Sequence, residues 1–391
     1  MFRHLFKLIW NKKKQNALLI TEILVSFLVM FAIFTMLVFS YQNYRQPMGF
    51  NYDNVWVVSY SPPASITSTD SAIAFQDAIR NTLRSMPQIA AMSYTGNNTP
   101  FSMNTSNTNV NFEKKNSTMS NVYTADEGYL EVLDAKLVSG RWLTRADAAT
   151  SAKVTVITRE LEQKLFGNQS AIGKKISNDG ATMQVVGVIE NMKDKGDYHA
   201  IESGYYEPMD SNSVKWTSTI LLKVKPGADA AFEGKLFKTL SNSIGTGIEI
   251  EHLDKNRVSI NKVMLVPMII AFIVAGFLII NVALGLFGVL WYNINKRKGE
   301  IGLRRAVGAP GKSISLQLVA EALVLSSISL LIGCFFAVQF PLLGVLDLAP
   351  GTYVTAIVLA VAFIYVLVML CALYPGRQAA AIYPAVALHE E

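Results

Sequence analysis

Cysteine is almost missing from this chain of 391 residues: Cys334 and Cys371 both sit in apolar runs, and residues 41–262 contain none. No disulfide framework therefore staples the middle of the chain, which is long enough to bury a core unaided. Charge is scarce as well. Only 16% of the residues are Asp, Glu, Lys or Arg, against roughly 25% in soluble domains, and the mean hydropathy is +0.30. One ordinary water-soluble globule is excluded. Histidine occurs four times, at His4, His199, His252 and His389, far apart and with no HExxH or Cys/His spacing, so the sequence points to no metal site. No GxSxG elbow is present, and acids such as Asp126, Glu127 and Glu131 fit a solvated helix face. A membrane-anchored enzyme would need a catalytic constellation in residues 41–262, and none is legible there.

What is abundant is apolar sequence in long runs. A bilayer core needs about 20 apolar residues in a helix, and four stretches qualify: Ala17–Phe39, Val263–Trp291, Ile314–Phe340 and Thr352–Tyr374. The first exceeds a signal-peptide core and lacks a small-x-small cleavage site after it, so it reads as an uncleaved anchor. The formal charge of +6 is confined to the flanks of these runs, because residues 41–262 balance 23 basic against 23 acidic side chains. A pI near 9.1 thus reflects membrane orientation and not nucleic acid, which is not expected as a partner.

Orientation follows from retention of Lys and Arg on the cytoplasmic side. Residues 1–16 carry Arg3, Lys7, Lys12, Lys13 and Lys14 with no acid, and the loop after the second run carries Lys296, Arg297, Lys298, Arg304, Arg305 and Lys312 with only Glu300. Both N- and C-termini are therefore expected inside. The expected order is a cytoplasmic interfacial helix over 1–16, where Phe2, Leu5, Phe6, Ile9 and Trp10 recur at helical spacing, then spans at 17–39, 263–291, 314–340 and 352–374. An extracytoplasmic domain occupies 40–262, a coupling loop or helix 292–313, an external loop 341–351 and a cytoplasmic tail 375–391.

The 40–262 segment shows mixed periodicity. Val55–Tyr60 reads as a strand, Ala72, Phe75, Ile79, Leu83 and Met86 as one helical face, and Ile89–Tyr94 as a second strand. The same βαβ-like order returns with Thr219–Val224, a helix marked by Phe232, Leu236, Leu240 and Ile244, and strand Ile248–His252. Between them lies an inserted subdomain at about 97–217. It opens with the polar run Gly96–Asn109, read as a loop or strand edge, and holds Asn121–Tyr123, helices near Gly128–Leu133 and Arg159–Phe166, and strand Gln184–Ile189. The predicted fold class is an α-helical membrane protein with four transmembrane helices and a large α+β extracytoplasmic domain.

Several residues in and beside the spans attract attention. Glu22 and Glu321 are intramembrane acids, functional candidates by default and explained equally by snorkelling or helix-to-helix hydrogen bonding. Gly276, Gly285 and Gly288 permit close helix approach, as a dimer seam or an intramolecular one. Gly308-Ala-Pro-Gly311-Lys312-Ser313 ends like a P-loop, but the glycine required five residues before Gly311 is Ala306 and no strand precedes it, so the chain is not expected to bind ATP itself. A short helix with Glu300, Arg304 and Arg305 beside Ile301 and Leu303 offers a docking face, ended by Gly308, Ala309 and Pro310.

The run Lys296-Arg-Lys-Gly-Glu-Ile-Gly-Leu-Arg-Arg-Ala-Val-Gly-Ala-Pro310, followed by Glu321 and Ile332-Gly333, resembles the FtsX-like permease domain of MacB-type ABC transporters. The tail Tyr374-Pro-Gly-Arg-Gln-Ala-Ala-Ala-Ile-Tyr-Pro-Ala-Val-Ala-Leu388 resembles that family's closing motif, with Gly376 where alanine is usual. Gly140-Arg-Trp, Val156-Ile157, Leu165-Phe-Gly167, Ile172-Gly-Lys174 and Val185-Val186-Gly-Val-Ile189 resemble its periplasmic core, a porter-like βαβ subdomain with a smaller insertion. The resemblance implies a permease subunit without a fused ATPase, in the bacterial inner membrane, coupled through Arg297, Glu300, Ile301, Leu303, Arg304, Arg305, Gly308 and Ala309 to a cytoplasmic ABC ATPase. That partner would hold the ATP and Mg, so no cofactor is expected in this chain. A second permease copy or paralogue would complete a dimer, and mechanical transmission would move the external domains to export or extract a peptide, antibiotic or lipoprotein. A periplasmic adaptor fits that reading; a hydrolase or sensor kinase fits the alternative of a signalling or scaffold subunit.

Overall fold

The computed structural model describes residues 13–381, except 114–115, 151–152, 179–180, 212 and 246. Of the interfacial helix expected at 1–16, residues 1–12 lie outside the described residues, as do residues 382–391 of the expected tail. The helices are α1 (Lys13–Tyr44), α2 (Thr69–Arg84), α3 (Tyr129–Leu133), α4 (Arg145–Ala149), α5 (Arg159–Phe166), α6 (Ala230–Ile244), α7 (Leu253–Lys296), α8 (Lys298–Ala306), α9 (Gly311–Leu342) and α10 (Pro350–Ala380). The strands are β1 (Val55–Ser59), β2 (Ile89–Thr95), β3 (Asn107–Phe112), β4 (Asn116–Ala125), β5 (Leu137–Gly140), β6 (Val154–Thr158), β7 (Lys175–Asn178), β8 (Ala181–Ile189), β9 (Gly204–Pro208), β10 (Thr219–Val224) and β11 (Glu249–His252). Packing divides the chain into one unit of Met1–Gln42 with Leu265–Glu391 and another of Asn43–Met264.

In the second unit, β11-β1-β10-β2 form an antiparallel sheet in that order. The two βαβ-like units are thus interleaved: β10 lies between β1 and β2, which makes each a split unit. Alternation along β1 explains the layering, since Trp56 and Val58 join the core with α2 and α6, while Val55 and Val57 face the opposite core. The helices start where the sequence supplies caps. Ser68 and Ser71 form a reciprocal capping box on α2, and Asp229 accepts from the Phe232 amide at the start of α6. Ile79, Leu83, Leu236 and Leu240 are at most 2% exposed, and truncating any one to alanine should cost roughly 2–5 kcal/mol.

The insertion closes on itself. β4 pairs with β3, β3 with β7, β7 with β8, β8 with β6, β6 with β9, and β9 returns to β4 with Tyr123 opposite Tyr206. This six-stranded barrel has no free edge between those members. Val110, Ile157, Ile176, Val185, Val188 and Tyr205 form a core with Leu161 and Leu165 of α5. Of the polar run read as a loop or strand edge, the part from Asn107 onward is strand β3. Its only fully buried side chain is Val110, so the sequence carried no alternating apolar signal there.

In the first unit the four apolar runs are helical. The second helix begins at Leu253 and not at Val263, because the polar stretch before the apolar run continues the helix. The fourth continues past Pro375 to Ala380 into the segment expected as tail. Packing follows small residues, as is usual where lipid offers no hydrophobic drive between helices. Ala356, Ala360, Ile364, Val368 and Ala372 repeat every fourth residue along α10 and are all buried. Gly333 of α9 lies so close to Phe27 of α1 that a Cβ there would stand 2.4 Å from the ring.

Candidate functional site

Helix α8 is nine residues long and amphipathic. Its inner face presents Ile301, which is buried with Ile294, Ile314, Leu318 and Ala379. Its end is set by Gly308, at φ +97°. The amide of Gly308 donates to the Arg305 carbonyl and that of Ala309 to the Arg304 carbonyl, a Schellman arrangement that satisfies the last turn. Pro310 then precedes α9. The P-loop look-alike is therefore the connection from one helix to the next.

The charged residues of this segment are turned on one another. Arg297 donates to Glu321 at 3.0 Å and to Glu300 at 3.3 Å; Arg304 donates to Glu300 at 2.6 Å and to Gln317 at 3.0 Å; Gln317 donates to Glu321 at 3.2 Å. These bonds form a closed circuit of two cations, two anions and one amide, which pins α8 to the first turns of α9. Individual pairs of this exposure contribute only about 0.2–1 kcal/mol, but the circuit fixes geometry because each side chain is held twice. Arg305 is half-buried, with one donor on the Ala309 carbonyl at 3.4 Å and its Nε without a partner. Left outward are two apolar side chains one turn apart, Leu303 at 56% and Val307 at 83% exposure.

The other candidates fall elsewhere. Glu321 belongs to the circuit. The Glu22 carboxylate lies against Gly285, where a Cβ would stand 2.3 Å from it. Gly276 and Gly288 have open space beside them. Gly376, the departure from the usual alanine, faces Ser315, whose Oγ would be 2.8 Å from an added Cβ. Among the described residues no group of three or more His, Cys, Asp or Glu is placed to hold a metal.

Residues 17–236 match the family of MacB-like periplasmic core domains. The chain belongs to the MacB-like permeases. Residues 272–384 match the FtsX-like permease C-terminal family, which includes α8 and the circuit. The ABC permease YknZ of Bacillus subtilis is 25% identical over 53% of this chain and 54% of its own length. The macrolide export ATP-binding/permease protein MacB of Pasteurella multocida is 26% identical over 69% of this chain and 43% of its own. The chain thus spans about half the length of these curated relatives. The crystal structure of the periplasmic region of MacB from Actinobacillus actinomycetemcomitans is similar over 54% of this chain and 94% of that one, at 18% identity and a TM-score of 0.38.

Within the MacB-like frame, sequence reasoning named Leu303 in the segment that contains α8 but not Val307. Leu303 and Val307 stand outward on a helix that turns Ile301 into the core. The one sequence signal was the i, i+4 spacing of Leu303 and Val307.

Proposed function

We propose that this chain is the membrane subunit of a MacB-type ABC transporter in a bacterial inner membrane. A separate cytoplasmic ATPase binds ATP and Mg and docks on α8, and this chain turns over no ATP by itself. Both termini are cytoplasmic, as the basic residues of 1–16 and of the α7–α9 connection argue. The α+β domain then lies outside. A second copy or paralogue packs on the open face of α7, where Gly276 and Gly288 leave room and Ile273, Phe277 and Leu284 are at least 65% exposed. Nucleotide-driven motion reaches the external domain mechanically and drives export or extraction of a peptide, antibiotic or lipoprotein already outside the inner membrane. Relatives named for macrolide export support the direction of transport.

The observation that carries this reading is the outward pair Leu303 and Val307 beside Glu300 and Arg304, whose charges are held within the chain. A partner that covers this apolar pair removes its surface from water, which favours docking there. The double change Leu303→Glu, Val307→Glu should weaken ATPase association roughly hundredfold, which is about 2.7 kcal/mol. Affinity purification in mild detergent, with quantification of the co-purifying ATPase, measures this. Unchanged recovery of the ATPase by a normally inserted variant would overturn the docking assignment.

A further inference from the structure

Between β8 and β9 runs Asn191-Met-Lys-Asp-Lys-Gly-Asp-Tyr198, and four of its charged side chains are buried: Lys193 at 2%, Asp194 at 6%, Lys195 at 9% and Asp197 at 7% exposure. Each is held by groups distant in sequence. The Lys193 ammonium donates to the Asn43 carbonyl at 2.6 Å and to the Asp197 carbonyl at 2.7 Å. Asn43 in turn donates to the Tyr198 carbonyl at 3.2 Å, and the rings of Tyr44 and Tyr198 stack with centroids 5.7 Å apart. The Asp197 carboxylate accepts from Arg257 Nε at 3.0 Å, Arg257 Nη2 at 2.9 Å and Asn261 at 2.7 Å, while its own amide donates to Asn261 at 2.9 Å. Gly196, at φ +99°, lets α7 approach: a Cβ there would stand 2.7 Å from Asn261 Oδ1. On the other side, Tyr123 donates to Asp194 at 2.5 Å, and Lys195 donates to Asn98 and to the Asn104 carbonyl, both at 2.8 Å.

The position of these contacts in the chain gives them meaning. The chain passes between its two units twice, at Gln42/Asn43 and at Met264/Leu265. The 191–198 segment grips Asn43 and Tyr44 at the first passage and Arg257 and Asn261 just before the second, and it is itself anchored on β4 through Tyr123. Stability alone does not require such a design, because a buried ion pair is often no better than well-packed apolar residues. What paired buried charges supply is a single geometry, since any displaced partner leaves a charge unpaired.

We propose that Lys193, Asp197, Arg257 and Asn261 form a clasp that locks the end of α1 and the start of α7 to the barrel, so that helix displacement becomes displacement of the α+β domain. These are positioning residues. The inference rests on the mechanical reading above and adds the joint through which the motion passes.

The test uses the full chain in nanodiscs with its co-purified ATPase. Cys334 and Cys371 are replaced by serine, a donor dye is attached at Ser117→Cys on β4, and acceptor lipids mark the bilayer headgroups. In the otherwise wild-type protein, ATP with vanadate changes the energy transfer. In Asp197→Asn and Lys193→Met that change should fall at least threefold, while ATP hydrolysis stays within about twofold. Asp147→Asn, which breaks an ion pair of the same domain away from the clasp, should leave the change intact. If a charged-site variant fails to assemble, Asn261→Ala removes two hydrogen bonds and no charge, and the same loss is expected in smaller degree. Clasp variants that respond like wild type would overturn the clasp and spare the mechanical reading. No response in the wild type would overturn both.

Discussion

At Gly308 the backbone takes φ +97°, a region that side-chain-bearing residues enter at a cost of roughly 1–2 kcal/mol. Gly308→Ala should therefore open the end of α8, and the Gly308 and Ala309 amides, which donate the two closing bonds, should exchange hydrogen roughly five- to thirtyfold faster. Mass-resolved exchange measures this; an unchanged rate would show that the turn tolerates a Cβ. A second residue-scale expectation concerns Asp147. Its carboxylate takes two bonds of 2.7 Å from Arg141, and these, opposed by burial and helped by Thr144, hold its pKa down to about 2. A depressed acid stabilises the fold above its unfolded value near 3.9 and loses that contribution as pH falls through about 2. Because Arg141 is 49% exposed, the contribution is discounted to about 1–2 kcal/mol. Wild-type protein should lose that stability between pH 5 and pH 2, and Asp147→Asn should be weaker at pH 7 but flat over the same range. Denaturant unfolding at stepped pH separates them, and parallel curves would remove the assignment. The Arg141–Asp147 pair itself is short-range and readable in principle, six residues apart, but nothing in sequence selected it over Arg145.

At the scale of elements, α8 shows how a helix can be legible from sequence while the partners of its charged side chains are not. Glu300, Arg304 and Arg305 suggested docking through charge, yet Glu300 and Arg304 are bound to Arg297, Gln317 and Glu321. Charge changes should therefore act by unseating α8 and not by touching the ATPase. Glu300→Gln keeps an acceptor for one arginine and should hold ATPase association within about twofold. Glu300→Lys places a third cation between Arg297 and Arg304 and should lower it at least tenfold, with insertion normal because the added charge lies on the retained side. Equal loss from both would favour direct charge docking instead. Among strands, β8 was legible because Val185, Gly187 and Val188 continue an apolar run, whereas β7 and β9 were not. Lys175–Asn178 is too short to show alternation, and Gly204-Tyr-Tyr-Glu-Pro208 reads as turn sequence until β4 and β6 flank it.

For the whole molecule, the strongest sequence argument is the distribution of charge, from which we propose that the α+β domain lies outside the cytoplasm. Cysteines at Ser117 and Ser211 should react with a membrane-impermeant thiol reagent in cells whose outer barrier, where present, is opened. Labelling seen only after inner-membrane lysis would reverse the topology and with it the proposed direction of work. A membrane span is a property of about 20 consecutive residues, and the positive-inside signal is a property of short loops. Both survive reading one residue at a time, so the sequence by itself determined the membrane class, the four helices, the α+β domain between the first two, and the FtsX-like segment. Tertiary structure alone decided closure of the insertion into a barrel, the meeting of Arg297 with Glu321, and the grip of Lys193 on Asn43 and of Asp197 on Arg257. Those pairs are separated by 24 to 150 residues, and the closure of such loops depends on everything folded between them. Composition and periodicity record which side chains prefer burial, but not which distant partner will be there to satisfy a buried charge.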